Sequence, residues 1–292
     1  MTTSELQACL ARLYVDDAFR ELFLRWPEAA LQGYELDPVE DRAVRGLDVA
    51  ALRFFAASLR NKRVKRFRHA YPALFALGHP HVDRLAARYH QVCGDDGRLG
   101  IHEDILAFGR FIERCAAGDD ILPPYVSDLA RFERHYYAAS AEVAPAVRPA
   151  GALDEESRPA RHPGIRMVTF DHDVVAIEEA VTSGRKPSEE ASAGGYPIVF
   201  RHRTPDAPHG MVRINTPTAA VVDACDGTRP MPAVVDHVRS RLGIADDLTT
   251  PVTETVIRLL DRGVLTPVPL DGSRDTAPAE VLVADWVHDE SF

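Results

Sequence analysis

Apolar residues recur three or four positions apart through the first 140 residues, which is the spacing that buries one face of an α-helix. The first such segment carries Leu6, Leu10, Leu13 and Tyr14. The later segments are preceded by residues that favour helix N-termini, among them Asp16, Asp37 and Asp48. Residues 1–140 are therefore predicted to form an all-α helical domain.

The segment after Asp48 combines an apolar stripe with a concentration of basic side chains. We predict a buried stripe that consists of Leu52, Phe54, Phe55 and Leu59. The cations that follow are Arg60, Lys62, Arg63, Lys65 and Arg66. They form either a solvated helix face or a patch that docks an acidic partner, and Tyr71-Pro72 ends the helix.

The periodicity changes after residue 140. Residues 141–164 are rich in Ala, Pro, Arg and Glu and have no apolar period, which predicts an inter-domain linker. Ile165–Phe170 is predicted to be a strand that continues at Val174–Ile177. The segments Tyr196–His202 and Met211–Asn215 flank a proline-rich turn and predict a β-hairpin.

Three short apolar helices are predicted after the hairpin. Their starts and stops are marked by Thr216-Pro217, Asp226-Gly227, Gly243, Pro251 and Gly263. A further strand, Val264–Val268, follows the third helix. This order is typical of a winged helix, so residues 165–270 are predicted to form a winged-helix domain with a three-stranded antiparallel sheet, and the whole chain an α+β fold. The tail, residues 271–292, could be an edge strand, a return onto the helical domain or a partner-binding strip.

The charge distribution bears on what the winged-helix domain binds. Residues 1–140 hold 20 of the 44 acidic and 19 of the 34 basic side chains, so most of the net charge of −10 lies in residues 141–292. Nucleic-acid binding requires Lys and Arg that neutralise phosphates, and no lysine follows Lys186. A DNA-binding transcription regulator with a helical sensor domain is the alternative function, but the acidic charge disfavours it, and we expect no nucleic-acid partner.

Three blocks of the C-terminal half occur in an order that resembles the PqqD-like domain, which recognises precursor peptides of ribosomally synthesised natural products (RiPPs). The blocks are Asn215-Thr216-Pro217-Thr218-Ala219-Ala220, Asp226-Gly227-Thr228 and Leu259-Leu260-Asp261-Arg262-Gly263-Val264-Leu265. The resemblance implies that the leader segment of a precursor peptide adds to the sheet as an extra strand, in a groove between the third strand and the third helix. It places the peptide against Met211, Val212, Arg213, Ile214, Val252, Thr255, Val256, Arg258 and Leu259, with Arg213 and Arg258 pairing leader carboxylates.

The helical half is similar to partner proteins of multinuclear non-heme iron oxidases (MNIOs), the methanobactin-type partner subunit among them. The residues that carry this similarity are His69-Ala70-Tyr71-Pro72, His79-Pro80-His81 and Phe108-Gly109-Arg110-Phe111-Ile112. The resemblance implies a non-catalytic subunit that binds the precursor leader and, in a heterodimer with the iron oxidase, presents the core peptide. Separating leader binding from the chemistry would present the core at a high effective concentration.

The sequence does not indicate chemistry of its own. No catalytic motif occurs, and we expect no catalytic residue, metal site or cofactor. A metalloenzyme that uses His79 and His81 or the triplet Asp171-His172-Asp173 is a third hypothesis, although surface or structural histidines explain them better. The scattered cysteines are expected to be free thiols. Without a long apolar run or an N-terminal signal pattern, we expect a cytoplasmic protein with no membrane partner.

Overall fold

The structure is a computed structural model that describes residues 3–92, 100–118, 121–146, 153–154, 156–187, 193–205 and 207–268. The predictions for the tail, residues 271–292, lie outside this range. The helices are α1 (Thr3–Val15), α2 (Asp17–Arg25), α3 (Pro27–Leu31), α4 (Pro38–Arg45), α5 (Val49–Ala70), α6 (Pro72–Ala76), α7 (Pro80–Val92), α8 (Ile101–Ala116), α9 (Tyr125–Ala141), α10 (Val174–Thr182), α11 (Thr216–Ala224), α12 (Met231–Leu242) and α13 (Thr249–Asp261). The strands are β1 (Arg158–Arg161), β2 (Ile165–Phe170), β3 (Tyr196–Arg201), β4 (Gly210–Arg213) and β5 (Leu265–Val268).

The fold is α+β, as predicted, with mostly helices and a small three-stranded antiparallel sheet. Its described residues form two compact units. Those within 1–134 and 178–186 form unit 1, and those within 135–177 and 187–292 form unit 2. The predicted division differs, because it ended the first domain at residue 140 and assigned 178–186 to the second. In the part of the chain that is described, no helix is long and apolar enough to cross a membrane.

Unit 1 is built from helices whose N-termini are capped as the sequence predicts. Asp16 accepts a hydrogen bond from a backbone N–H at the start of α2 (2.8 Å). Asp37 and Glu40 form a capping box at α4, and Asp48 caps α5. Each cap satisfies backbone donors that the helix itself leaves unpaired, a contribution of about 1 kcal/mol.

Aromatic side chains from the segment α5 to α8 pack together in the interior of unit 1. The rings of Phe67 and Phe108 stack with their centroids 4.2 Å apart, and the ring of Tyr89 meets both edge-on. Tyr71 donates a hydrogen bond from its hydroxyl to the carbonyl oxygen of Ile105 (2.7 Å). Because Tyr71 and Phe108 are fully buried, two of the motifs that carry the resemblance in the helical half are packing elements of this core.

Gly109 allows α8 to approach Tyr71 and α9 closely. A Cβ atom at this position would collide with the Tyr71 hydroxyl and would lie 3.1 Å from Cβ of Arg134. The residue is buried in the middle of α8, where any larger side chain would force these elements apart.

A buried carboxylate completes this part of unit 1. Glu133, on α9, accepts hydrogen bonds from the backbone N–H groups of Ala73 (2.7 Å) and Leu74 (2.9 Å) in the first turn of α6. It therefore caps a helix that is distant in sequence and has no side-chain cap of its own. Burial raises the pKa of Glu133 to about 8, and the two backbone bonds offset only part of that rise.

The predicted buried stripe of α5 is wrong at its two phenylalanines. Leu52 is buried, but Phe54 is 76% exposed and Phe55 is 51% exposed. Phe54 lies two positions after Leu52, which places it about 200° around the helix and therefore on the opposite side. The ring of Phe55 lies beside that of Tyr14, with centroids 4.9 Å apart.

Unit 2 contains the three-stranded antiparallel sheet, with strand order β2-β3-β4. The predicted strand Ile165–Phe170 and the predicted hairpin are confirmed as β2, β3 and β4. Strand β3 is buried on both faces: Val199 belongs to the core with α11 to α13, and Phe200 packs on the other face against Phe170 and His135. The predicted continuation of β2 at Val174–Ile177 is wrong, because these residues begin helix α10.

The strand after α13 joins a different sheet. Strand β5 pairs antiparallel with β1, which lies inside the segment 141–164 that we predicted to be a linker. On its other side, β1 bridges Asp226, and the N–H of Gly227 donates to the carbonyl oxygen of Pro159 (3.0 Å). Residues of the predicted linker are therefore part of the packed structure of unit 2.

The three helices α11 to α13 follow the sheet in the predicted order. Asn215, one residue before the predicted cap, is the N-cap of α11 and accepts from the N–H of Thr218 (2.8 Å). Gly243 and Gly263 follow α12 and α13 with φ of 66° each, a left-handed conformation that glycine adopts without strain.

Candidate functional site

Strand β4 is an edge strand of the three-stranded sheet β2-β3-β4. One side of it pairs with β3, in a register that sets Val212 opposite Val199 and Met211 opposite Phe200. Among the described residues, no strand pairs with its other side. The strand therefore has one backbone edge that is not part of the sheet's own ladder.

The hydrogen-bond pattern identifies which residues face this edge. The N–H of Ile214 donates to the carbonyl oxygen of Pro197 in β3 (3.1 Å). In an antiparallel ladder, hydrogen-bonded and non-bonded positions alternate, so Val212 also bonds to β3. The N–H and C=O groups of Met211 and Arg213 consequently point outward, and they give the edge two donors and two acceptors.

The side chains of this predicted site divide between core and surface. Val212 and Ile214 pack against the core of unit 2, whereas Arg213 is exposed. The guanidinium of Arg213 lies 2.7 Å from a carboxylate oxygen of Asp173 and 5.0 Å from the ring centroid of Tyr196. These two neighbours hold Arg213 in a fixed position at the edge strand.

Helix α13 contributes little accessible surface from its predicted site residues. Val252, Val256 and Leu259 are buried in the core of unit 2, with Val256 fully inaccessible. The prediction that these three residues line a groove is therefore wrong, because the same apolar stripe that suggested a groove is what holds the helix onto the protein. Thr255 is half-buried and donates its hydroxyl to the carbonyl oxygen of Pro251 (2.8 Å), and Arg258 is exposed.

The main packing partners of α13 are α11, α12 and β5, whereas β4 packs chiefly on β3. The accessible part of the predicted site therefore consists of Met211 and Arg213 at the edge of β4 and of Arg258 on α13. The interior residues Val212, Ile214 and Val256 support both parts from within the same core.

The predicted docking patch on α5 also divides into two sets. Arg63 forms a bidentate pair with Asp104, in which Nε lies 2.8 Å from one carboxylate oxygen, and its guanidinium lies 3.2 Å from Nδ1 of the buried His90. Burial lowers the pKa of His90, and the charge of Arg63 lowers it further. Arg63 is therefore a structural link within unit 1 and not an available docking residue.

The remaining cations of the patch differ in their surroundings. Arg60 pairs with Asp17, with a nitrogen to oxygen distance of 3.1 Å. Lys62, Lys65 and Arg66 are exposed, and no ion pair joins them to any described residue. The sequence could not separate these sets, because all five cations lie within two turns of one helix and their acidic partners come from α2 and α8.

Some of the residues considered as metal ligands make other contacts. Asp173 of the triplet Asp171-His172-Asp173 pairs with Arg213 and lies 3.3 Å from a backbone N–H of α10. The N–H of His81 donates to Nδ1 of His79 (3.3 Å). Within the described ranges, no group of three or more His, Cys, Asp or Glu residues is arranged to hold a metal ion.

The described cysteines are free thiols. Cys9 and Cys225 are buried and Cys115 is half-buried. Burial raises the pKa of the Cys225 thiol to about 12, and the nearby charge of Asp226 adds to that rise. A thiol that stays protonated at neutral pH is a poor nucleophile and a poor metal ligand.

Comparison with known proteins does not identify a family for this chain. No protein-family model matches this chain, and a search of curated proteins finds no significant relative.

Proposed function

We propose that this protein is a non-catalytic accessory subunit of RiPP biosynthesis that binds the leader of a precursor peptide along the outer edge of β4. In the same proposal, it presents the core peptide to an MNIO subunit in a heterodimer. The observation that carries the peptide-binding part is the position of β4 at the end of the sheet, with the backbone groups of Met211 and Arg213 directed outward.

An extended peptide that pairs with this edge gains main-chain hydrogen bonds, as in other cases of β-augmentation. The two outward residues offer four bonds, and at a net value of about 1 kcal/mol each they supply about 4 kcal/mol. That corresponds to a dissociation constant of about 1 mM. Micromolar binding of a leader, which we expect, therefore requires side-chain contacts in addition.

Arg213 is suited to supply one of these contacts. Asp173 and Tyr196 fix its position, yet about half of its side chain is exposed, and the guanidinium keeps N–H donors that Asp173 does not use. A charge-assisted bond to a leader carboxylate is stronger than a neutral one. Arg258, exposed on α13, is the second cation that the resemblance assigns to this role.

The buried residues of α13 have a supporting role in the revised proposal. Val252, Val256 and Leu259 hold the three-helix bundle against the sheet and do not contact the peptide. A substitution such as Val256→Asp would place a charge in a fully buried position and unfold unit 2, so loss of binding in that variant would not identify the groove.

The experiment that tests the proposal changes one outward N–H. Met211→Pro removes a donor that faces away from β3, and an edge strand tolerates proline at such a position. Met211→Ala removes the side chain and keeps the donor, so it is the matched control. Binding of a fluorescein-labelled synthetic leader peptide is measured by fluorescence polarisation with the intact protein.

We expect the Met211→Pro variant to bind the leader about fivefold more weakly than the Met211→Ala variant, because one hydrogen bond of about 1 kcal/mol is lost, with both as thermally stable as the parent protein. Equal binding by the two variants would exclude the β4 edge as the site. If the parent protein itself does not bind the leader, the proposed function is wrong.

A further inference from the structure

The basic segment of α5 contains one set of cations that pair with acidic residues of unit 1 and one set that forms no ion pair with any described residue. Arg60, Arg63 and Arg68 pair with Asp17, Asp104 and Asp83 respectively, with the Arg68 pair at 2.9 Å. Lys62, Lys65 and Arg66 are exposed and form no ion pair with a described residue. Their charges are therefore available to a partner.

An exposed aromatic side chain lies on the same face of the helix. Phe54 is 76% exposed, and it precedes Lys62 by eight residues and Lys65 by eleven. At about 100° per residue, these spacings place the two lysines within about 80° of Phe54 around the axis. At 1.5 Å per residue, they lie about 12 and about 17 Å farther along it.

We infer that Phe54, Lys62, Lys65 and Arg66, here termed the α5 stripe, form a docking surface for an acidic protein partner that has an apolar pocket for Phe54. The charges select the occupant, because three exposed cations that span about 100° of the helix surface, and that form no ion pair with a described residue, attract a surface of opposite sign. An exposed phenylalanine at the end of such a stripe supplies the apolar anchor that interfaces between proteins depend on. This inference deepens the partner half of the proposed function, but it does not depend on peptide binding at β4.

The same features argue against the other anionic occupants. A nucleic acid would be held by few phosphate contacts and repelled by a chain of net charge −10. A membrane-bound amphipathic helix inserts its broad apolar face, but on α5 that face carries Leu52, Ala56 and Phe67, which are buried inside the protein. An acidic protein surface with an apolar pocket accommodates both the exposed ring of Phe54 and the small number of cations.

The inference is tested with intact protein and a displayed library of random peptides of about 20 residues. The stripe variants are Lys62→Glu/Lys65→Glu/Arg66→Glu and, separately, Phe54→Ser. The matched control is Arg88→Glu/Arg110→Glu/Arg114→Glu, which makes the same change in net charge at three exposed arginines of α7 and α8. A duplex DNA and phosphatidylserine vesicles are measured in parallel.

We expect selection on the parent protein to enrich acidic peptides that carry an apolar residue. Their binding should fall at least tenfold in each stripe variant, stay within about twofold in the control and weaken with added salt. Failure to enrich acidic peptides, or an equal loss in the control, would overturn the inference, as would stripe-dependent binding of only the duplex or the vesicles. Because none of these variants alters β4, leader binding measured separately remains a test of the peptide site alone.

Discussion

The buried carboxylate of Glu133 makes the stability of unit 1 depend on pH in an unusual direction. Its pKa is about 8 in the folded protein, because burial disfavours the charged form, against 4.5 for an exposed glutamate. Between these two values the folded state holds a proton that the unfolded state has lost. The stabilisation that this proton provides is complete below pH 4.5 and is lost as the pH rises through 8.

The expected size follows from the two pKa values. The difference of roughly 3.5 units corresponds to about 5 kcal/mol over the whole range, at 1.36 kcal/mol per unit. Between pH 6 and pH 8 the linkage relation gives a loss of about 2 kcal/mol. Glu133→Gln removes the titration, although its amide can accept only one of the two backbone N–H bonds and so lowers stability at every pH.

The assay is urea unfolding followed by circular dichroism at pH 6 and pH 8, for the parent protein and Glu133→Gln. We expect the parent to be the more stable at pH 6, with the gap between the two narrowing by about 2 kcal/mol at pH 8. Glu21→Gln, at an exposed position of α2, is the control and should leave the pH dependence unchanged. A gap that stays constant or widens toward pH 8 would refute the argument that Glu133 is buried with a raised pKa.

Two further predictions concern other buried groups. Burial lowers the pKa of His162, and the charge of Arg201 lowers it further. The stability that the neutral imidazole provides is therefore complete above pH 6.5 and is lost as the pH falls below that value. His162→Asn can still accept a hydrogen bond from the N–H of Gly164, so in urea unfolding it should lose less stability between pH 7 and pH 5 than the parent protein. Gly109→Ala should destabilise unit 1 by about 1–3 kcal/mol because of the contact with Tyr71, although the same change in an open helix stabilises by about 1 kcal/mol. Gly33→Ala, where a Cβ meets nothing within 4 Å, is the control. A stabilised Gly109→Ala variant would show that α8 and Tyr71 are not in close contact.

The helices of unit 1 and the hairpin of unit 2 could be predicted because their signals are local. An aspartate before an apolar period marks a helix start whatever the rest of the chain does, and Asp16, Asp37 and Asp48 all mark such starts. The alternating apolar residues and the proline-rich turn predicted β3 and β4 in the same way. These features depend on neighbours in sequence and not on distant partners.

The features that the sequence did not predict depend on distant partners. Strand β1 has two arginines and a proline in four residues, and only its pairing with β5 makes it a strand. The β-branched start of α10 favoured a strand, but Asp173 precedes it at the position of a helix cap.

Prediction of the candidate sites from sequence is limited in the same way, because their surroundings depend on residues that are distant in sequence. Strand β4 lies at the end of the three-stranded sheet, and this position follows from a local feature, the pairing of consecutive strands in a hairpin. The apolar residues of α13 were assigned to a groove because a buried stripe and a binding stripe have the same spacing in sequence. Likewise, the acids that neutralise Arg60 and Arg63 lie more than forty positions away from them, at Asp17 and Asp104.

The pairing of β1 with β5 has a practical consequence for excising the C-terminal module. A fragment that starts at Ile165, the boundary suggested by sequence, would lack the strand that covers one side of β5. The exposed backbone edge of β5 could then pair with a second copy of the fragment or with any extended peptide in the sample. Binding or self-association measured with such a fragment would result from the truncation and would not describe the intact protein. A fragment for expression of this module therefore has to begin upstream of Arg158.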